Sequence, residues 1–534
     1  MGIRKALLPF IPSPVLRQYR KIKRYFFSKG CNFNPTGTNI AKIKKIQLSD
    51  TFIIEKQADS VKVVQYLAWN NPFNTNDYGK YQFLEKEYKI ENNSEIEIEF
   101  NNYGSWTLDI RYYNGKRLVA KENRTIDVEA SKYNIAYLSA TLPAEIFLIK
   151  LWDITSAECP TIVGLERVLF DYKALPANVY PFPLAKEDEL NTAYKGFYSY
   201  SQRLVSYISI LYKMNHHARF NLYLCDHQAF YTLALMYANG IPEENFSVFL
   251  LSDGTGSYEG FNYVFGNPDG SKTYKAMKDT WAMAKQMAVE SGVQQWKKET
   301  FTFCGNPCVS QTKKSDNQMI ELSNRLAYAY VITRESRNFT WFLHNPDMLD
   351  AGDRALFPLT DSIKKIDFIS GIQSLAQHRE ELGRLLGIDY SVFKQIGSAG
   401  KKICMLFGSY PPVGADIKYV DATVERFGCN FYYFFKEHPR VIVSQERKKA
   451  MEERGIRFLD PKIPTEIYMM INPNIYLAGY LSSAFLSIGL LHDPADQILA
   501  IWNTDDCRIK TKCLDLTAKT AMCIKNNSVV IYDY

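Results

Sequence analysis

The chain has 534 residues, 46% of them hydrophobic and 23% charged, with a net charge of +7. That length exceeds one hydrophobic core, so two or three domains are expected. The composition is that of a globular protein, the modest charge gives no argument for nucleic acid, and no apolar run is long enough to span a bilayer.

The charge is unevenly placed. No acid precedes Asp50, whereas Arg4, Lys5, Arg17, Arg20, Lys21, Lys23, Arg24 and Lys29 are interleaved with Leu7, Leu8, Phe10, Val15, Leu16, Tyr19, Ile22 and Phe26. Residues 1–39 therefore form a basic arm. Its first 27 residues read either as a peripheral membrane-surface patch or as a disordered or docked basic arm. Pro9, Pro12 and Pro14 interrupt any signal-peptide core. The ten cysteines show no paired spacing: Cys304 and Cys308 lack a nearby His or second pair, so free thiols and no metal are expected.

From 40 to 160 the chain reads as a β-sandwich. Expected strands are Thr51 to Glu55, Val61 to Leu67, Glu95 to Phe100, Trp106 to Tyr113, Tyr137 to Thr141 and Ile146 to Trp152. Glu95–Phe100 alternates acid and apolar residues, the pattern of a half-buried strand. Asn114-Gly115 is a hairpin signal.

The texture then changes to strands alternating with helices, which implies parallel sheets. In 161–400 the expected strands are Arg167 to Phe170, Asn221 to Leu224 and Phe246 to Leu251. Helices are expected over Gln228 to Asn239, Thr273 to Ser291, Gln318 to Leu326 and Leu375 to Leu386. Residues 401–534 restart the alternation, with strands at Ile403 to Phe407, Asn430 to Phe435, Ile456 to Leu459 and Ile475 to Ala478. Helices are expected over Ala415 to Phe427, Val443 to Arg454, Pro464 to Ile471 and Ala484 to Leu491. The fold class is thus α/β: two Rossmann-like halves behind a β module.

Candidate chemistry gathers where strands end, because ligands bind at the carboxyl edge of open α/β sheets. After Phe246 to Leu251 comes Ser252-Asp253-Gly254. Asp253 reads as a general base for a hydroxyl or as an ordinary Asp-Gly turn. Asp226-His227 follows the preceding strand and reads as pocket-shaping or as a helix cap. Phe431 to Phe435 ends at Lys436-Glu437-His438-Pro439-Arg440, where a cation and an imidazole suit a phosphate or a leaving group. Glu466 lies in a first helical turn, as a ribose ligand or as a partner of the helix dipole. Ser482-Ser483 precedes a helix, as an anion site or as an N-cap. No P-loop, GxGxxG or GxSxG pattern is present.

Taken in order, Ser252-Asp253-Gly254, His438-Pro439 and Ser482-Ser483 resemble the three signatures of bacterial sialyltransferases. Phe435–Arg440 is similar to the His-Pro segment of glycosyltransferase family 80, and Ile463-Pro464-Thr465-Glu466 to its ribose-binding helix. The strand ending at Asp226-His227 resembles the one that carries an acceptor-binding His in that family. One departure is Ser252, where the family has an acid.

The resemblance implies a GT-B fold with an immunoglobulin-like N-terminal module. It also implies metal-independent, inverting transfer from CMP-sialic acid to a glycan hydroxyl, without a cofactor. By resemblance Asp253 is the base and His438 assists the departing phosphate. Lys436, Pro439, Glu466, Ser482, Ser483, Gly408 and Ser409 bind the donor. Asp226, His227 and Tyr410 face the acceptor, a galactose-containing lipooligosaccharide or capsule glycan made at the inner face of a bacterial inner membrane. Lipooligosaccharide sialyltransferases and polysialyltransferases share the signatures. A CMP-Kdo-dependent transferase and a non-catalytic glycan-binding protein are the competing readings.

The basic arm yields a test. Deleting residues 1–27 is expected to abolish binding to anionic liposomes in a flotation assay, and unchanged binding would refute the membrane reading.

Overall fold

The computed structural model describes residues 37–71, 74–90, 94–166, 168, 170–183, 197–252, 254–266, 268–295, 317–349, 357, 359–388, 391–408, 416–437, 443–460, 463, 465–469, 475–479, 484, 499–502 and 529–532. The basic arm to residue 36, Cys304 and Cys308, and the expected helix beyond Ala484 lie outside these residues.

Six strands come first: β1 (Lys42–Gln47), β2 (Ser60–Asn71), β3 (Asn74–Lys89), β4 (Glu95–Phe100), β5 (Gly104–Asn114) and β6 (Arg117–Val128). Four form an antiparallel sheet in the order β3-β2-β5-β6, while β1 and β4 pair as a separate antiparallel ribbon. The alternation of β4 works as expected. Ile96, Ile98 and Phe100 are buried in one apolar cluster with Val61, Val63, Trp106, Leu108 and Ile110 of the larger sheet. Phe100 meets Trp106 edge-on at 5.5 Å. Gly115 turns the β5–β6 hairpin with φ +56°.

The next sheet is parallel throughout. Its strands are β7 (Lys132–Leu138), β8 (Thr161–Leu165), β9 (Val179–Pro181), β10 (Arg219–Cys225), β11 (Phe246–Leu251), β12 (Phe339–Leu343) and β13 (Ile363–Lys365), ordered β13-β12-β11-β10-β7-β8-β9. The chain lays down β7, steps outward through β8 and β9, then returns to place β10 on the other side. The order therefore reverses between β7 and β10, and a crevice opens there at the carboxyl edge.

A second parallel sheet repeats the plan. It contains β14 (Lys402–Phe407), β15 (Phe431–Lys436), β16 (Arg457–Leu459), β17 (Ile475–Gly479), β18 (Leu499–Trp502) and β19 (Val529–Tyr532), ordered β16-β15-β14-β17-β18-β19. Its reversal falls between β14 and β17.

Several sequence expectations fail for physical reasons. Thr51 to Glu55 is not a strand but part of a one-turn helix, Asp50–Ile54, with no buried residue; its β-branched composition misleads. Ile146 to Trp152 belongs to the helix Thr141–Ile154. A short apolar run reads alike as buried strand and buried helix. The strand expected at Arg167 to Phe170 lies earlier, at Thr161–Leu165. Lys132–Leu138, inside the span 40–160, is a strand of the parallel sheet.

The helix Thr141–Ile154 buries Ala144, Ile146, Phe147, Leu148, Ile149 and Leu151. One apolar cluster takes in these residues, the last residues of β7, β8, β10 and β11, and Phe407, Phe434 and Leu477 of the second sheet. The helices Phe368–Gln377 and Arg379–Leu386 close it. Trp152 stacks on His378 at 4.8 Å and donates to Glu381 Oε2 at 2.8 Å. Among the described residues no helix is long and apolar enough to cross a membrane.

The approach at Gly371 admits no side chain, since a Cβ there would sit 1.8 Å from Ile149 Cγ2. Gly371→Ala is expected to destabilise the protein by about 1–3 kcal/mol through overpacking. Urea unfolding measures this, and an unshifted midpoint would contradict the close helix contact.

Candidate functional site

The first sheet gathers polar groups at its carboxyl edge. Asp226, His227 and Gln228 make one 3-10 turn directly after β10, and all three are buried. Gln228 Oε1 accepts from the Cys225 amide at 3.3 Å, and its Nε2 donates to Ser139 Oγ at 3.2 Å. Ser139 follows β7, so this bond ties the two strands that flank the crevice.

Register places the next strand end alongside: Cys225 pairs with Leu251. Ser252 follows and donates its amide to Phe342 O at 3.2 Å. Its hydroxyl accepts from the Gly254 amide at 3.0 Å and lies 3.1 Å from Ser257 Oγ. Ser257 Oγ donates to Asp226 Oδ2, while Asp226 Oδ1 accepts from the His227 amide at 2.8 Å. His227 Nδ1 lies 3.9 Å from that same Oδ1. Gly254 sits at φ +77°, ψ −134°, a conformation that glycine alone adopts without strain, and it caps the helix Thr255–Phe265. Asp253 stands between Ser252 and Gly254 in the chain and is itself outside the described residues.

The sequence reading missed His344, one residue past β12. It is fully buried and stacks on Phe368 at 5.0 Å. Burial pushes its pKa down to about 3, so the ring is neutral at physiological pH.

On the second sheet, Lys436 ends β15 and is buried, and its carbonyl accepts from the Gly408 amide at 2.9 Å. Gly408 follows β14, so two donor candidates are joined at adjacent strand ends. Glu437 comes next, 6% exposed. Its Oε1 accepts from the Val443 amide at 2.8 Å and its Oε2 from Lys448 Nζ at 2.8 Å. The first bond joins the two residues that flank positions 438–442, where His438 and Pro439 fall in the sequence. Ser444 Oγ accepts from the Arg447 amide at 3.3 Å and starts the helix Gln445–Glu452.

Glu466 lies in the short helix Thr465–Met469, with Ile467 and Tyr468 in the shared apolar cluster. Ser482 and Ser483 follow the last residue of β17 by three and four positions. Ser409, Tyr410, His438, Pro439, Ser482 and Ser483 lie outside the described residues, as does the side chain of Glu466.

The structure thus links Asp226 to Ser252 through Ser257, sets His227 beside Asp226, and joins Lys436 to Gly408. Sequence reasoning assigned no role to Ser257 or Glu437. The signal for Ser257 was the run of small residues Gly254-Thr255-Gly256-Ser257, which lets a helix start close beneath a strand end. Glu437 carried none beyond its place between Lys436 and His438. Among the described residues no group of three His, Cys, Asp or Glu is placed to hold a metal ion.

The chain matches no family model and no curated protein sequence. Its structure is similar to the sialyltransferase from Photobacterium damsela, with TM-score 0.50 and 13% identity over 93% of this chain and 98% of that one. It is also similar to a 2,6-sialyltransferase from a Photobacterium species of the Vibrionaceae, crystallised with the donor product CMP and the acceptor substrate lactose. That match has TM-score 0.50 and 12% identity over 92% of this chain and 94% of that one. The fold is therefore sialyltransferase-like, a mixed α/β architecture built on parallel sheets.

Glu437 gives the site its own test. Glu437→Ala leaves the buried Val443 amide without its acceptor and is expected to cost about 1–3 kcal/mol. Amide exchange at Val443 should accelerate while exchange in the first sheet stays unchanged. Native protection at Val443 would show that the segment is held by other means.

Proposed function

We propose that this protein is an inverting glycosyltransferase that moves sialic acid from CMP-sialic acid to a hydroxyl of a glycan. The observation that carries the reading is the pair of reversal points. One parallel sheet presents the Asp226–His227 turn and the turn bearing Asp253. The other presents Gly408 and Lys436, with Ser482 and Ser483 just beyond β17. Two Rossmann-like bodies, one for each substrate, match the GT-B plan, and the six strands ahead of β7 serve as an appended β-sandwich module. The likeness in fold to two sialyltransferases, one holding CMP and lactose, supports the same reading.

In this mechanism the acceptor oxygen attacks the anomeric carbon of sialic acid and gives its proton to Asp253. The bond from that carbon to the CMP phosphate oxygen breaks, and CMP leaves with the electron pair. Negative charge grows on the phosphate while the sugar becomes oxocarbenium-like. His438, Lys436 and the hydroxyls of Ser482 and Ser483 stabilise that charge, the role of fixed donors aimed at a developing anion. Glu466 accepts from the cytidine ribose hydroxyls. Gly408, Ser409 and Pro439 line the donor side, and His227 with Tyr410 lines the acceptor side. Imidazole and hydroxyls take the place of a metal in this scheme.

The decisive measurement is CMP release from CMP-sialic acid in EDTA, with and without lactose. Lactose-dependent release is expected, and Asp253→Ala and His438→Ala should each lower turnover about a hundredfold or more. Near-normal turnover in either variant refutes the role given to that residue. No release from CMP-sialic acid, with release from CMP-Kdo, would move the assignment to a Kdo transferase.

A further inference from the structure

We infer that Asp226 is a positioning residue, whose buried carboxylate acts through Ser257 and Ser252 to fix the turn that carries Asp253. The inference rests on Asp253 being the general base.

Both Asp226 oxygens are already engaged within the chain, one by the His227 amide and the other by Ser257 Oγ. Asp226, Ser252 and Ser257 are each 0% exposed. The donor order along the network follows from valence. Ser257 Oγ donates to Asp226 Oδ2, which uses its single hydroxyl proton. The 3.1 Å contact between Ser257 and Ser252 then requires Ser252 to donate. Ser252 in turn uses a lone pair to accept from the Gly254 amide. The run reads Gly254 N–H to Ser252 O–H to Ser257 O–H to the Asp226 carboxylate, with every bond pointing the same way. Such aligned bonds polarise one another in a buried setting. The network starts at one strand end and finishes at the glycine that holds the strained side of the turn.

The same order explains why position 252 carries a hydroxyl where the acid-acid-Gly pattern has an acid. A carboxylate at 252 would face Ser257, whose only proton is committed to Asp226. It would also set a second negative charge beside the first in a dry environment, which is strongly unfavourable. The hydroxyl at 252 and the acid at 226 are a matched pair.

The test measures kcat and the acceptor KM with CMP-sialic acid and lactose. Asp226→Asn and Ser257→Ala are each expected to lower kcat about tenfold or more with the lactose KM unchanged. The double variant should be no worse than the poorer single one, and Ser257→Thr, which keeps the hydroxyl, should retain most of the rate. Ser252→Asp should be strongly impaired, and adding Asp226→Ser should recover part of its activity by returning the network to one carboxylate. A raised lactose KM at intact kcat in Asp226→Asn would make Asp226 an acceptor contact and overturn the inference, as would additive losses in the double variant. Amide exchange across residues 252–257 reads the clamp without any transfer assay. Faster exchange in Ser257→Ala upholds the clamp even if the wild type transfers nothing, in which case only the base assignment falls. Unchanged exchange overturns the clamp itself.

Discussion

The helix Thr141–Ile154 buries most of its middle, from Pro143 to Ile149 and again at Leu151, and that apolar surface must be covered. It leaves β7, an interior strand of the first sheet beside β10, after a link of only two residues. It therefore starts at the carboxyl edge of that sheet and cannot move far from it. The second sheet and the helices Phe368–Gln377 and Arg379–Leu386 supply the remaining cover. Each large side chain buried in this way contributes roughly 1.5–3 kcal/mol. The two bodies are thus joined by a hydrophobic element rooted beside the first crevice. The apolar cluster runs from the last residues of β7, β10 and β11 to Phe407, the last residue of β14.

That arrangement shows what was legible in the sequence. The alternation of Glu95–Phe100, the Asn114-Gly115 turn and the strands Phe246 to Leu251 and Ile403 to Phe407 lie where local pattern puts them, because local pattern and final environment agree. Local pattern did not separate helix from strand at 146–152, where burial on all faces erases periodicity. Nor did it reveal the reversals between β7 and β10 and between β14 and β17, since strand order is decided by long-range pairing. The motif residues were readable as strand-end chemistry. Their supporting groups were not. Ser257 and Glu437 matter only through partners at positions 226, 252, 443 and 448, and sequence spacing does not announce such contacts.

The two sheets use different physics to hold a reactive segment at a strand end. On the first, a hydroxyl relay runs from the Gly254 amide through Ser252 and Ser257 to the Asp226 carboxylate. On the second, Glu437 accepts from the Val443 amide and from the ammonium of Lys448 in the following helix. A buried acid is costly unless its lone pairs are filled: Asp226 is filled by the His227 amide and Ser257 Oγ, and Glu437 by the Val443 amide and Lys448 Nζ. Each acid is therefore coupled to its donors: removing one leaves a buried carboxylate oxygen unsatisfied.

This coupling suits chemistry that splits its charges between two bodies. In inverting transfer the proton leaves on the acceptor side as the phosphate gains charge on the donor side, so the base and the leaving-group partner must each be rigid relative to its own sheet. Side-chain placement errors of about 1 Å cost such reactions on the order of a hundredfold. A flexible glycine turn and a loop after a strand are poor platforms by themselves. Under the proposed mechanism the buried carboxylates of Asp226 and Glu437 are the groups suited to steady each edge, while the apolar cluster around the helix Thr141–Ile154 reaches from one edge to the other.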